Sequence, residues 1–474
     1  MDELERPSGH CTEEVVAGMS EEAATTGKPT ADERTVKRAV WASAMGNATE
    51  WYDYGVFTSG AIAVSIGSEF FPGEGNAVLK SLALLAVGFI VRPFGGAFFG
   101  PLGDKIGRKR VLAVTILLMS GCTFLVGVLP TYSGSYSMGI AAPIAILLLR
   151  IIQGFSTGGE YGGAATFIAE YSPTKRRGFF GSFLELGTLG GYVLGNLVVL
   201  SVTLSLSADQ VDAWGWRIPF FVALPLGLIG LYLRNKLEDT PEFRRMEAAG
   251  EKPHKAPLKE IFVRNWRMIL NLIGIVLLLN VADYLLLTTM PTYFTDTLKI
   301  NDNTSTLIII AVEVIQMAII IPLGALSDRI GRKPLLLTAA IGFLVLSWPS
   351  LKLMQSGSIF WLFVGFLIVA LLLVLMLAVI GSTFPAMFPT RVRYGSFAIG
   401  YNISTSLFGG TCGVIVTALI KSTGNEDWPA YYLMAAALIA IIPIIKIPET
   451  SQVPMDQIET ADSGGKLTSA AAQR

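Results

Sequence analysis

Gly100-Pro101-Leu102-Gly103-Asp104-Lys105-Ile106-Gly107-Arg108-Lys109 and Gly324-Ala325-Leu326-Ser327-Asp328-Arg329-Ile330-Gly331-Arg332-Lys333 are two copies of one pattern in a single chain. The first follows the second long apolar run and the other follows the eighth. A second pair stands at matching places, after the fourth and tenth runs: Pro173-Thr174-Lys175-Arg176-Arg177-Gly178 and Pro389-Thr390-Arg391-Val392-Arg393-Tyr394-Gly395. Chance explains one such match but not two in register. Matching motifs in two halves of six apolar runs indicate parallel repeats about an axis along the membrane normal.

Outward from these loops, the rest of the chain reads as membrane protein. It has 474 residues, 52% hydrophobic and only 15% charged, with a mean hydropathy of +0.56; a soluble chain carries roughly a quarter charged residues. Many apolar runs reach the ~20 residues that span a hydrocarbon core. The expected spans are 39–66, 80–103, 111–130, 143–171, 178–206, 216–236, 266–295, 303–325, 335–354, 359–388, 394–420 and 428–447. They imply an all-α polytopic protein with twelve transmembrane helices in two pseudo-symmetric six-helix bundles. The expected division is an N-terminal tail 1–38, a bundle 39–236, a central loop 237–265, a bundle 266–447 and a tail 448–474.

Of the 36 Lys and Arg, only Lys80, Arg217, Lys299, Lys352 and Lys421 fall outside if the N-terminus is inside, and Arg92 and Arg150 lie within the membrane. That asymmetry is the positive-inside pattern and places both termini in the cytoplasm of a cell-membrane protein. Residues 1–38 have no apolar h-region, so no cleaved signal peptide is expected.

Composition also excludes functions. The formal net charge is zero, which argues against a nucleic-acid partner, and no obligatory protein partner is evident. Cys11, Cys122 and Cys412 have neither pairing nor metal-ligand spacing. No His or Cys ligand set lies in the membrane, so neither an enzyme nor a metal or other cofactor is expected. No Walker sequence occurs, which leaves ion-coupled rather than ATP-driven transport. A receptor would carry a larger output domain than these loops and tails.

The repeated Gly-x-x-x-Asp-basic-x-Gly-Arg-basic loop resembles the hallmark of the major facilitator superfamily. Gly46-Asn-Ala-Thr-Glu50-Trp-Tyr-Asp53-Tyr-Gly55, Arg92-Pro93-Phe-Gly95, Gly158-Gly-Glu160-Tyr-Gly-Gly163 and Trp214-Gly-Trp-Arg217-Ile-Pro-Phe-Phe221 look like its metabolite–proton symporter family. Arg176-Arg-Gly-Phe-Phe-Gly181, Pro291-Thr-Tyr293 and Phe384-Pro-Ala-Met-Phe-Pro-Thr390 are most similar to members that carry proline and glycine betaine. The resemblance implies rocking alternating access and import of a small zwitterion with a proton. Symport of an organic acid such as a dicarboxylate, citrate or shikimate is the alternative. Drug–proton antiport is the remoter one, because the Gly-Pro element usual in helix 5 of antiporters is missing between Gly187 and Gly195. Some betaine transporters of this type end in a coiled coil. After Glu449 no sustained apolar heptad occurs, so tuning by such a tail is not expected.

Intramembrane charge is the informative signal, because it is costly and marks ion or substrate pathways. Glu50, Asp53, Glu160, Glu185, Asp283 and Glu313 stand against Arg92 and Arg150, an excess of acids that cannot all ionise cheaply. Glu50 and Asp53 are one turn apart on one helix face. Arg150, Gln153, Thr157 and Glu160 form a polar stripe on the fourth helix. Both histidines, His10 and His254, lie outside the spans, so a proton carrier must be a carboxylate. Superfamily resemblance implies that Asp53, paired with Arg150, carries it, with Glu50 and Glu160 as further candidates; a static ion pair is the plainer reading.

A guanidinium binds a carboxylate bidentately, so Arg92 or Arg150 could hold a substrate carboxylate. Trp51, Tyr54, Tyr161 and Tyr284, with Asp283, could hold an ammonium group, although most aromatics in membrane helices simply pack. Gly158, Gly159, Gly162 and Gly163, like Gly187, Gly190, Gly191 and Gly195, have the spacing of close helix packing. The resemblance favours gating by Asp104 and Asp328; Arg108, Glu170 and Arg332 are candidates for the same network, and topogenic charge alone is the plainer reading of the basic residues.

Overall fold

The computed structural model describes residues 33–73, 77–133, 137–236, 258–389 and 392–455. The expected tails and most of the central loop lie outside these residues, as does the side chain of Asp104. Among the described residues the protein is helical, with one isolated bridge between Thr131 and Ser137 and no strand.

The first half consists of α1 (Glu33–Thr58), α2 (Gly60–Phe70), α3 (Ala77–Ile106), α4 (Arg108–Val128), α5 (Ala141–Tyr171), α6 (Arg177–Ser205), a short α7 (Ala208–Ala213) and α8 (Ile218–Asn235). In the second half, α9 (Leu258–Tyr284) runs on through a π-helical turn at Leu285–Thr289, α10 (Met290–Thr292) and a second π turn at Tyr293–Thr297. Then come α11 (Asp302–Ile330), α12 (Lys333–Met354), α13 (Ile359–Thr383), α14 (Arg393–Ser404), a π turn at Thr405–Gly409, α15 (Cys412–Thr423) and α16 (Trp428–Lys446).

Eleven crossings among the described residues are long and apolar enough to span a membrane. The twelfth is α1 with α2. Its hydropathy is lowered by Asn47, Thr49, Glu50 and Asp53, the same residues that make it interesting. Three details differ from the sequence expectation. The first crossing is not one helix but breaks at Ser59, whose backbone is extended at φ −62° and ψ 130°. The seventh and eleventh crossings carry π turns, which have no apolar-pattern signature. α9 begins at Leu258, ahead of the expected 266, because intrahelical hydrogen bonds continue through Lys259 and Glu260 beyond the apolar stretch.

The repeated loops recur as structure. Gly107 ends α3 with φ 96°, and Gly331 ends α11 with φ 95°. Both lie in the left-handed region where a side chain would be strained, and Gly331 also abuts the Glu449 carboxylate. Each lets one helix stop and the next start within one or two residues.

Twelve crossings bring both termini to one face, here called the termini face. There the halves are pressed together. Gly181 packs against Gly381 and Ser382. The Tyr394 hydroxyl donates to the Gly159 carbonyl at 2.5 Å, and Asn402 Nδ2 to the Gly158 carbonyl at 2.6 Å. At the opposite face the halves part around a cavity of about 460 Å³, lined in part by Gly60, Thr203, Asp212, Thr292, Asp296 and Asp302.

The glycine stripes pack helix on helix. A Cβ on Gly187 or Gly191 would meet the Ala44 or Ala48 carbonyl at 2.2 Å, and one on Gly158 would meet the Arg92 carbonyl at 2.1 Å. Because those neighbours are backbone, they cannot rotate away. Gly158→Leu is therefore expected to destabilise the protein by at least ~3 kcal/mol, the upper range for overpacked cores. Thermal unfolding followed by size-exclusion chromatography of the purified protein checks this; a monodisperse variant with an unchanged midpoint would show that α3 and α5 are not in this contact.

Candidate transport site

α1 supplies the acids. Glu50 and Asp53 lie one turn apart, yet each meets a different guanidinium. Arg92 of α3 approaches Glu50 at 2.8 Å and Arg150 of α5 approaches Asp53 at 2.5 Å. All four are buried. Sequence reasoning made Arg150 a candidate for both roles, but the two arginines sit in separate surroundings.

Arg150 lies inside the first bundle. Its guanidinium stacks over Phe57 at 3.3 Å from the ring centroid. Gln153 of the same stripe donates to Asp53 at 3.4 Å and to Thr123 at 2.7 Å. Thr157 turns to Met119. Among the described residues the hydrogen bonds, ion pair and ring contact of this pair all stay within the first half.

Arg92 lies at the seam between the halves. It donates to the Tyr54 hydroxyl and, at 3.4 Å, to the Tyr284 hydroxyl of α9. Aromatic rings enclose it: Trp51 against Tyr54 and Tyr284 at 5.2 and 5.8 Å, and Phe89 against Tyr284 at 4.9 Å. The guanidinium carbon stands 4.5 Å from the Phe89 centroid, within cation–π range. The next residue explains a further contact across the seam. Pro93 has no N–H, so the Phe89 carbonyl loses its helical donor; Ser406 of the second half supplies one at 2.5 Å. Expected candidates Trp51, Tyr54, Arg92 and Tyr284 are thus brought together.

Tyr161 stands apart from that cluster. It stacks on Tyr401 at 4.3 Å and donates to Glu185 at 2.7 Å, whose other oxygen accepts from Thr188. Asp283, next to Tyr284, is buried without a cation, and its Oδ1 has no hydrogen-bond partner among the described residues. Tyr401 and Glu185 were not singled out as ligands from sequence, because neither belongs to a motif.

Glu160 does not join Asp53. It pairs with Arg234 of α8 at 2.7 Å, and Arg234 also donates to the Leu112 carbonyl. Arg234 reads in sequence as the start of the charged loop, whereas in the fold it turns back among the helices and is 3% exposed.

At the termini face Glu170 links the halves, at 3.0 Å to Arg393 and in close contact with Arg108. Asp328 accepts from the Gly178 and Phe179 amides at 2.7 and 2.9 Å, capping the start of α6 from across the seam. Arg332, grouped with Asp328 in sequence, remains within the second half. It donates to the Ser382 carbonyl and the Thr450 hydroxyl, and burial pulls its guanidinium down to about 10 against the opposing pull of Asp328 and Glu449.

Two helical bundles meeting over paired, buried charge define a membrane transporter. Residues 39–461 match the family model described as Sugar (and other) transporter. The proline/betaine transporter of Escherichia coli strain K12 is 43% identical over 436 residues, covering 90% of this chain and 86% of that protein. The glycine betaine/proline/ectoine/pipecolic acid transporter OusA of Dickeya dadantii strain 3937 is 43% identical over 434 residues, covering 90% and 85%. In fold the chain is similar to the major facilitator superfamily proton:xylose symporter XylE bound to 6-bromo-6-deoxy-D-glucose, with a TM-score of 0.74 at 17% identity, covering 89% of this chain and 98% of that one. The chain belongs to the sugar (and other) transporter family.

The Glu160–Arg234 pair separates structural from coupling charge. Breaking a buried pair on one side leaves an uncompensated partner and costs about 3–5 kcal/mol, whereas apolar replacement of both is often neutral. Glu160→Gln is expected to lower the thermal midpoint markedly, and Glu160→Met with Arg234→Met to restore it, both measured by unfolding of the purified protein. Equal loss in the single and double variants would remove the pair from this account.

Proposed function

We propose that this protein imports a small zwitterionic compatible solute of the proline, glycine betaine or ectoine type by proton symport and alternating access, with both termini in the cytoplasm. The observation that carries the reading is the Arg92 site at the seam. One guanidinium and a set of aromatic faces meet there between the halves, the first suited to a carboxylate and the second to an ammonium, the two poles of a zwitterion. The names of the relatives support the same substrate class.

The geometry also supports a coupling rule. A substrate carboxylate that takes the Arg92 fork must displace Glu50 from it. A buried carboxylate stripped of its counter-charge is neutralised by binding a proton rather than paying for isolation. Solute and proton then load together. Glu50 and Asp53, one turn apart on α1, hold this one proton in turn, and its arrival at Asp53 frees Arg150 and loosens the first bundle. Asp53 is the principal carrier in this reading.

The cycle follows from the seam. With the termini face held by Glu170, Arg393 and Asp328 and the other face parted, solute arrives from outside. Opening the termini face requires releasing those contacts, so Asp328, Glu170, Arg108 and Asp104 act on the rate of turnover rather than on solute affinity. The concentration of Lys and Arg on the termini side supports its cytoplasmic assignment.

Asp53→Asn is expected to abolish accumulation of solute against its gradient while counterflow exchange partly survives, because exchange needs the rocking motion but no net proton. Uptake into proteoliposomes with and without an imposed proton gradient checks this, and normal accumulation by the variant would remove Asp53 from the coupling role.

Competition against labelled proline tests the substrate class. Glycine betaine and ectoine are expected to inhibit, and 2-oxoglutarate, citrate and shikimate are not: the further carboxylates of the first two would face the surplus of buried acids, and shikimate has no cationic pole for the aromatic faces. Inhibition by the acids alone would replace the zwitterion by an organic acid and leave symport standing.

A further inference from the structure

One buried acid takes no part in the pairs described so far. Glu313 of α11 is 1% exposed, and neither carboxylate oxygen has a hydrogen-bond partner among the described residues. Buried polar groups are nearly always satisfied, and a lone one in a membrane helix marks a functional position. Among the described residues no counter-charge is paired with it. α9 contributes Asp283, the charged side chain that bears on it, and Tyr284. α6 contributes Glu185, which bears on Asp283, and Tyr192, on which both Asp283 and Glu313 act. The turn at Tyr293–Thr297 packs on α11 and carries Tyr293 and Asp296, the Tyr293 hydroxyl being held by Gln355 and the Glu426 carbonyl. α13 contributes no charged residue, only the Ala370 carbonyl that Gln316 takes at 2.7 Å.

The location is the seam. The Tyr192 hydroxyl, from the first half, donates to the Leu287 carbonyl of the second and lies 3.1 Å from the Thr58 hydroxyl. Glu313 is therefore buried where two rigid halves separate in any rocking cycle. It also lies in line with the open cavity. Asp302, on the cavity wall, precedes Glu313 by three helical turns, so the two share a face of α11 about 16 Å apart along its axis. Thr306, on the same face and 8% exposed, stands between them.

We propose that Glu313, with Asp283 as its neighbouring acid, is a proton-binding site separate from Asp53–Arg150, loaded from the cavity, and that a second proton accompanies each solute. When the seam parts toward the cavity, the Glu313 carboxylate meets water and takes a proton from it. When the seam closes, the neutral acid is the form that survives without a cation. When the termini face opens, the proton returns to water there. The Asp283 carboxylate beside it favours the loaded form by repelling a second negative charge.

The inference rests on the symport reading above, and the experiment keeps the two apart. Protein in proteoliposomes is given opposing gradients of labelled proline and protons at zero membrane potential, and the proline gradient at which net flux reverses is recorded. Two protons per solute let a tenfold proton gradient balance a proline gradient of about a hundredfold, and one proton balances about tenfold. Wild type is expected near a hundredfold and Glu313→Gln near tenfold. A wild type at tenfold, or a variant unchanged at a hundredfold, overturns the second site while leaving symport intact. A wild type whose proline flux ignores the proton gradient overturns both readings. Replacing sodium by potassium at fixed pH is expected to change nothing; a shift of the reversal point would make the pair a sodium site and overturn the proton assignment. Should Glu313→Gln fail to fold, Glu313→Met, apolar and of similar length, is read against the same two values.

Discussion

Charge in a low-dielectric interior must be paired, neutral or in reach of water, and most of this molecule is arranged around that requirement. Three arginines, Arg92, Arg150 and Arg234, lie on three different helices of the first half. Each is answered by an acid on another helix: Glu50, Asp53 and Glu160. These pairs bind α1 to α3, α1 to α5 and α5 to α8. The glycine stripes that let α1 approach α6, and α3 approach α5, bring the helices near enough for the pairs to form. Buried ion pairs give little net stability against apolar replacements. In the proposed cycle the pairs at Glu50 and Asp53 are exchangeable contacts, and the Glu160–Arg234 pair is a structural one.

The seam obeys the same rule through backbone groups. A helix start carries unsatisfied amides, and those of Gly178 and Phe179 are satisfied by Asp328 from the opposite half. Parting the halves leaves both the amides and the carboxylate seeking water, so the termini face is either fully joined or fully wet. The chain after the last crossing reinforces that face. Arg177 donates to the Val453 carbonyl and Arg393 to the Met455 carbonyl, while Glu449 accepts from the Arg332 and Lys333 amides. One short segment thereby touches residues of both halves.

Much of this was legible in the sequence. Apolar run length, the doubled Asp-containing loop and the bias of Lys and Arg define the number of crossings and the repeat. Burial of Glu50, Asp53, Arg92 and Arg150 follows from their position in those runs, whereas the spacing does not tell that Trp51, Tyr54 and Tyr284 gather around Arg92 and not around Arg150. What sequence could not supply was partner choice. Nothing in residue spacing tells whether Arg234 snorkels to water or folds back to Glu160, since both ends of a long side chain on the last turn of a helix are open to it. Nor does it tell that Arg332 holds the Thr450 segment while Asp328 crosses the seam. The π turns at Leu285–Thr289 and Thr405–Gly409 were equally hidden, because one extra residue in a helical turn leaves an apolar run apolar.

Those π turns complete an asymmetry between the halves. The first half holds paired charges and an unbroken α3, α5 and α6. The second has unpaired acids at Asp283 and Glu313 and helices interrupted beside the Arg92 site, where Gly409 packs on Tyr284 and Gly410 on Phe89. A π turn is a local excess of backbone that can be taken up or released without breaking the helix, and such turns recur at functional sites. An ion-paired half resists small deformations because each pair has one good geometry. An interrupted half can adjust around a bound solute at lower cost. In the cycle proposed above, the first half would report proton occupancy through its pairs, and the second half would close on the solute through its turns. Tyr284, whose hydroxyl accepts from Arg92 at 3.4 Å from the interrupted side, is the point at which the two meet.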